Sequence, residues 1–190
     1  MHLKRMSAPA SWPTARKGSK YLTKPLPGPH SLDHGIPLAV LFREVLKCTQ
    51  NRIETKRVLA DGTIIIDKRI VKDPRHAFGL MDRLEITTTG DHYTLLINQN
   101  GQLYPKKIPA TDASTKPCKI IGKTILKGKK TQLNLYDGKN IFIDNNTYHV
   151  GDSVLLALPN LTIKKHLPLH KGALVFITAG KHQGKTATVT

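Results

Sequence analysis

Acidic side chains are scarce in this 190-residue chain, which has 13 Asp and Glu against 30 Lys and Arg. The imbalance leaves a formal net charge of +17. Aromatic residues make up only 5% and hydrophobic residues 39%, which argues for several modest cores rather than one large one. No apolar run approaches the ~18 residues that a membrane-spanning helix needs. Met1, His2, Leu3, Lys4 and Arg5 have no apolar stretch behind them, so a secretory leader is not expected. The two cysteines, Cys48 and Cys118, lie far apart and fit no CxxC spacing. A structural zinc site takes about four clustered ligands, so the expectation is two reduced thiols and no metal.

Reactive constellations are also missing. The nine histidines form neither HExxH nor His-x-His. Gly128-Lys129 and Gly184-Lys185 lack the upstream spacing of a phosphate-binding P-loop. There is no GxSxG. Asp137 and Asp144 are a conceivable carboxylate pair, but Asp137 sits in a turn where its side chain caps its own backbone. No active site and no cofactor are expected, and the chain reads as a binding protein rather than an enzyme.

The charge is unevenly placed. Residues 1–35 carry six basic residues against Asp33 alone, 36–100 are nearly balanced, 101–170 hold eleven basic against four acidic, and 171–190 hold three against none. A basic segment attached to a balanced module points to a polyanion. An anionic membrane is disfavoured, because Pro9, Pro13, Pro25, Pro27 and Pro29 prevent an amphipathic helix in the basic segment. Nucleic acid is the leading partner class.

Four units are expected: a basic extended arm over 1–35, a helix-pair and strand domain over 36–100, a central β domain over 101–170, and a short β unit over 171–190. The arm has no hydrophobic period and should order only against a partner. Trp12, the only tryptophan, would either pack on the body or stack on a base. Pro37 opens a predicted helix whose stripe is Leu38, Leu41, Phe42, Val45 and Leu46, with Arg43 and Lys47 opposite. A second helix begins at Asn51, with Asn51 and Glu54 as a capping box, and ends at Asp61-Gly62. Strands follow at 63–67, 70–71, 84–88 and 92–97, with Lys68-Arg69 as a turn. Further strands are predicted at 119–121, 132–135, 140–143, 153–157 and 162–164, a spacing that suggests a small barrel. Two more, 173–178 and 186–190, flank a loop at 180–184.

Candidate nucleic-acid contacts form three groups besides the arm. In the second helix, Arg52 stands in the first turn, where a cation opposes the helix dipole. A phosphate docked at that N-terminus would repay the cost, with Lys56 and Arg57 beside it and Arg43 and Lys47 extending the face. Lys127, Lys129 and Lys130 surround Gly128 in a hairpin-sized loop. Lys171, Lys181 and Lys185 cluster around glycines, which let backbone approach phosphate closely.

His2, Leu3, Lys4 and Arg5, then Ala8, Pro9 and Trp12, resemble the opening of the archaeal and eukaryotic small-subunit ribosomal protein family S-four-e. Matching segments follow in order: Pro27-Gly28-Pro29-His30, Ile36-Pro37-Leu38, Gly79-Leu80-Met81-Asp82, Lys116 with Cys118-Lys119-Ile120, and Asp137-Gly138 with Asn140-Ile141. The resemblance covers essentially the whole chain. It implies an α+β, β-rich fold: a basic N-terminal extension, a small helix-pair RNA-binding domain, a central barrel-like domain, and a KOW motif within an SH3-like barrel.

The implied role is structural: a cytoplasmic, ribosome-bound protein that binds small-subunit rRNA, touches neighbouring small-subunit proteins and supports assembly. The residues expected to bind RNA are His2, Lys4, Arg5, Trp12, Arg16, Lys17, Lys20, Arg43, Lys47, Arg52, Lys56, Arg57, Lys68, Arg69, Lys127, Lys129, Lys130, Lys171, Lys181, Gly184 and Lys185. The pattern departs from the family at Asp67-Lys68-Arg69, where the first hairpin usually turns with Asp-Gly, and at Ala187, where a KOW motif has glycine. The sequence also stops at Thr190, earlier than the family's length implies. Competing readings are an accessory module of an RNA-modifying enzyme and a KOW-type regulator of transcription or translation.

Overall fold

A computed structural model describes residues 3–128, 130–143 and 147–190. His2, Lys129 and Asp144, all singled out above, lie outside the described residues. The chain opens with β1 (Leu3–Lys4), a single 3-10 turn (Arg5–Ser7) and β2 (Tyr21–Leu22), and the two strands pair with Leu3 opposite Leu22. Leu3, Trp12 and Leu22 are buried in the main core. The segment is therefore part of the folded body, not an arm that waits for a partner. Three hydrophobic anchors and its own backbone bonds offset the ordering entropy. Leu103 N–H donates to Ser11 O at 2.7 Å and Leu26 N–H to Arg75 O at 2.9 Å.

β3 (Gly35–Pro37) leads into α1 (Leu38–Val40), which widens into a π-helical stretch (Leu41–Val45), with Leu46 N–H reaching back to Leu41 O. Leu38, Leu41 and Phe42 are buried as the stripe predicts, but so are Ala39 and Val40. This short helix is enclosed on all sides at its start. Lys47, with φ 54, ends it in the left-handed region. α2 (Arg52–Ala60) carries the predicted capping box and closes at Asp61 and Gly62.

The first large sheet is formed by β4 (Ile64–Ile66), β5 (Arg69–Ile70), β7 (Arg83–Ile86), β8 (Asp91–Ile97) and β9 (Leu103–Ile108), in the order β5-β4-β7-β8-β9. β6 (Ala77–Gly79) pairs instead with β3. β9 runs along β8 from His92 to Ile97, Ile97 opposite Leu103, and Leu103 sits in the main core. The boundary expected at residue 100 therefore falls beyond Ile108, because a strand belongs with the strand that satisfies its backbone.

The second large sheet contains β10 (Thr115–Ile125), β11 (Thr131–Leu135), β12 (Asn140–Ile143), β13 (Ser153–Ala157) and β14 (Thr162–Leu167), in the order β12-β11-β10-β13-β14. β10 pairs with β13 through Thr115 to Lys119 and with β11 from Ile120 onward, with an irregularity between Ile120 and Gly122. The change of partner at a bulge bends the sheet into a curled half-barrel around Ile120, Leu133, Val154 and Leu156. The chain ends in β15 (Leu174–Phe176) and β16 (Thr186–Thr188), a two-stranded antiparallel pair.

Candidate nucleic-acid interface

Arg5 organises the N-terminal surface from beneath. Its guanidinium donates to Ala15 O at 2.7 Å and Ser19 O at 2.8 Å and pairs with Glu44 at 3.0 Å. Gly18 lies over it at φ +151, where a Cβ would stand 3.2 Å from Arg5 Cζ. The loop thus folded leaves Arg16, Lys17 and Lys20 exposed, as is Lys4. Lys17, Gly18, Ser19, Arg43, Glu44 and Gln50 line a shallow depression of about 370 Å³, so two predicted groups meet there. Arg5 lies at the floor of the same depression, with its guanidinium already bonded to Ala15, Ser19 and Glu44. Trp12 is turned inward, its indole N–H donating to Gly35 O at 3.0 Å and Leu32 O at 3.2 Å.

On α2, Arg52, Lys56 and Arg57 are exposed. The N-terminus of that helix is already occupied. The Glu54 carboxylate accepts from Gln50 N–H at 2.8 Å and Asn51 N–H at 3.3 Å, and these bonds hold its carboxyl below the usual range. An anion is thus present where a phosphate was expected to dock, and it complements the dipole that Arg52 opposes. Arg43 is half-buried with Glu44 at 3.2 Å, while Lys47 is exposed.

The remaining predicted contacts are dispersed. Lys68 pairs with Glu85 at 2.7 Å, and Arg69 is exposed. Lys127 and Lys130 are exposed on the β10–β11 hairpin, and Lys171, Lys181 and Lys185 on the terminal unit. Gly184 is half-buried. At φ +75 it packs on the β8–β9 turn, where a Cβ would meet Asn98 C at 2.4 Å.

Sequence reasoning missed a buried ion cluster between the two large sheets. Lys116, on β10, is 1% exposed and contacts Asp67 at 2.7 Å, Asp137 at 3.0 Å and Asp82. Lys139 adds bonds to Asp67 at 2.6 Å and Asp137 at 3.1 Å, and His30 lies 3.0 Å from Asp82. Burial opposes ionisation of Asp82 and Asp137, but Lys116 together with His30 at Asp82, and Lys116 together with Lys139 at Asp137, outweigh it and lower the pKa of both carboxyls from its ordinary value. Burial likewise disfavours the Lys116 cation, and the three carboxylates reverse that and raise its pKa. The Cys118 thiol is pushed up to about 12 by burial and Asp137, so it is inert, while Cys48 is exposed. Asp137 also caps its turn as predicted, accepting from Lys139 N–H at 3.3 Å. His30, Asp82, Lys116 and Asp137 all belong to the segments that carry the family resemblance.

These features define the class first: a strongly basic, β-rich protein of small modules held together by a buried ionic lock. Residues 89–163 match Ribosomal family S4e, and residues 1–33 match the RS4NT (NUC023) domain. The small ribosomal subunit protein eS4 of Methanocella arvoryzae is 42% identical over 188 residues, covering 99% of this chain and 79% of that one. The eS4 protein of Methanococcus vannielii is 40% identical over 196 residues, covering 99% and 80%. The crystal structure of the 30S ribosomal protein S4e from Thermoplasma acidophilum superposes with a TM-score of 0.72 at 31% identity, covering 82% of this chain and 80% of that one. The chain belongs to ribosomal protein family S4e. That family is structural and not enzymatic, which agrees with the reading of the sequence.

Proposed function

We propose that this protein is a structural constituent of the small ribosomal subunit, bound to rRNA in the cytoplasmic ribosome, touching neighbouring small-subunit proteins and supporting assembly. The observation that carries this is the 42% identity to a small ribosomal subunit protein over 99% of the chain. The charge of +17 supports it. Lys4, Arg16, Lys17 and Lys20 would neutralise phosphates on the N-terminal surface, beside Arg43 and Lys47. Arg52, Lys56 and Arg57 present one helix, with Lys68, Arg69, Lys127 and Lys130 as further phosphate contacts. Lys171, Lys181 and Lys185 lie in the segments flanking the strands of the terminal β pair, which reads as a KOW-type unit of an SH3-like barrel. Recognition is of backbone and shape.

The test is binding of the full chain to small-subunit rRNA fragments at several salt concentrations. The logarithm of the affinity should fall by roughly 0.7 per neutralised phosphate per tenfold increase in salt on single strands. A binding constant that does not move with salt overturns the reading. Alanine at Lys17 and Lys20 should weaken binding with no change in thermal midpoint.

A further inference from the structure

The outer side of the half-barrel carries a feature that the phosphate contacts do not explain. Phe142 on the edge strand β12 is 64% exposed, the highest value for any described phenylalanine, tyrosine or tryptophan. Register places it in a row with Gln132 and Thr124 across three strands, next to a row of Asn140, Asn134 and Gly122. These side chains point away from Leu133 and Ile120, which are fully buried on the other side. The amides are ordered: Gln132 Nε2 donates to Asn134 Oδ1 at 2.8 Å, and Asn134 Nδ2 to Thr124 Oγ1 at 3.4 Å. Lys130 is exposed immediately before β11, and Lys119 and Lys165 stand on the same outer side further along the sheet. None of the five strands contains an Asp or a Glu.

An exposed phenyl ring on an open sheet edge promotes aggregation unless something covers it. The surroundings select the occupant. An acid-free sheet with lysines attracts a polyanion, the ring offers a stacking surface that is indifferent to base identity, and the flanking amides offer donors and acceptors to base edges. That combination suits unpaired RNA bases and is of no use to a duplex, whose bases are already stacked. We propose that the outer face of β10–β12 is a single-stranded RNA site in which a base stacks on Phe142, with Gln132 and Asn134 beside its edge and Lys130 on the adjoining phosphate. The inference rests on the RNA-binding reading above and adds a site to it.

The experiment uses the full chain with a single-stranded RNA octamer containing 2-aminopurine and with a blunt RNA duplex of equal length. Binding of the octamer should quench the 2-aminopurine. Phe142→Ala and Phe142→Leu should weaken the octamer by roughly five- to a hundred-fold and abolish the quench, as expected for one stacked base. Phe142→Tyr should restore both, and the duplex affinity should be unchanged in all three. Unchanged octamer affinity in Phe142→Ala overturns the proposal, and so does an equal loss on octamer and duplex. If the wild-type chain self-associates and only that property is lost in Phe142→Ala, the face belongs to a second copy and the proposal falls. Salt-dependent duplex binding that persists beside any of these failures leaves the broader rRNA reading intact. No binding to either RNA, nor to rRNA fragments, would sink both.

Discussion

Lys116 Nζ lies 2.7 Å from Asp67 Oδ2, and that contact ties the second large sheet to the turn between β4 and β5 of the first. Asp67 is held from both sides, since it also accepts from Arg83 N–H at 3.1 Å and from Lys139. Removing Lys116 would leave three carboxylates buried, with Lys139 beside Asp67 and Asp137 and only His30 beside Asp82. Breaking a buried pair from one side costs about 3–5 kcal/mol. Lys116→Met is therefore expected to lower stability by about that much in urea denaturation. Adding Asp82→Asn should recover part of the loss, because one uncompensated charge disappears. An unchanged midpoint in Lys116→Met would show that the cluster contributes nothing.

Acid should weaken the same lock and a second carboxylate. Burial raises the pKa of Asp152, but N–H donation from Leu169 and His149, with His166 at 2.8 Å, overrides this and holds it at about 2, below its ordinary 3.8. Asp82 and Asp137 are lowered as well. A depressed folded value means that the unfolded state binds the proton first. The stabilisation is then complete above about pH 4 and is lost as pH falls through the folded values. Stability should be nearly flat from pH 5 to about pH 4 and drop from there to about pH 2. Asp152→Asn should flatten that slope and converge on the parent protein at the acid end. A parallel offset at every pH would rule the linkage out.

Local chemistry explains which features could be read in advance. The capping box of Asn51 and Glu54 and the turn in which Asp137 caps its own backbone depend on residues a few positions apart, and both are present. β1, β2, β3 and β6 are two or three residues long and exist only because distant partners pair with them. β9 was hidden by Pro105, Lys106 and Lys107, which suit an exposed edge strand but blunt any periodic signal. The ion cluster was invisible for the same reason. Lys116 is 49 residues from Asp67 and 34 from Asp82, and only the fold makes them neighbours. The basic surface was legible as composition, whereas Arg5 and Trp12 show that composition does not say which way a side chain points.

Gly184 is predicted to be a docking residue. At φ +75 an alanine is strained, and its Cβ would also press on the Asn98 backbone, which cannot move aside as a flexible side chain can. Gly180→Ala is the control, since Gly180 has φ +91 but nothing within 4 Å. Both should pay the left-handed strain of about 1–2 kcal/mol, but only Gly184→Ala should release the terminal pair from the β8–β9 turn. Hydrogen exchange would then accelerate in β15 and β16 and at 98–101, with β10 and β11 unaffected. Equal exchange in the two variants would refute the docking role.

Trp12 provides a direct test of the N-terminal packing, because it is the only tryptophan and is 2% exposed. Its emission should be blue-shifted relative to free tryptophan in the chain alone, without any RNA. It should stay there when an rRNA fragment is added, since the ring packs in the core and its N–H is already bonded to Gly35 O and Leu32 O. Trp12→Ala opens a cavity beneath β1 and β2 and strands two carbonyls, for an expected cost of about 3–5 kcal/mol. The exposed lysines would then lose their support, so RNA binding should weaken as well. Trp12→Phe separates the two effects, since it keeps most of the apolar volume and lacks only the donor. It should bind RNA as the parent does while melting at a lower temperature. An emission that is solvent-like in the free chain and shifts only when RNA is added would mean that the segment folds on its ligand, and the packing described for residues 3–35 would not hold in solution.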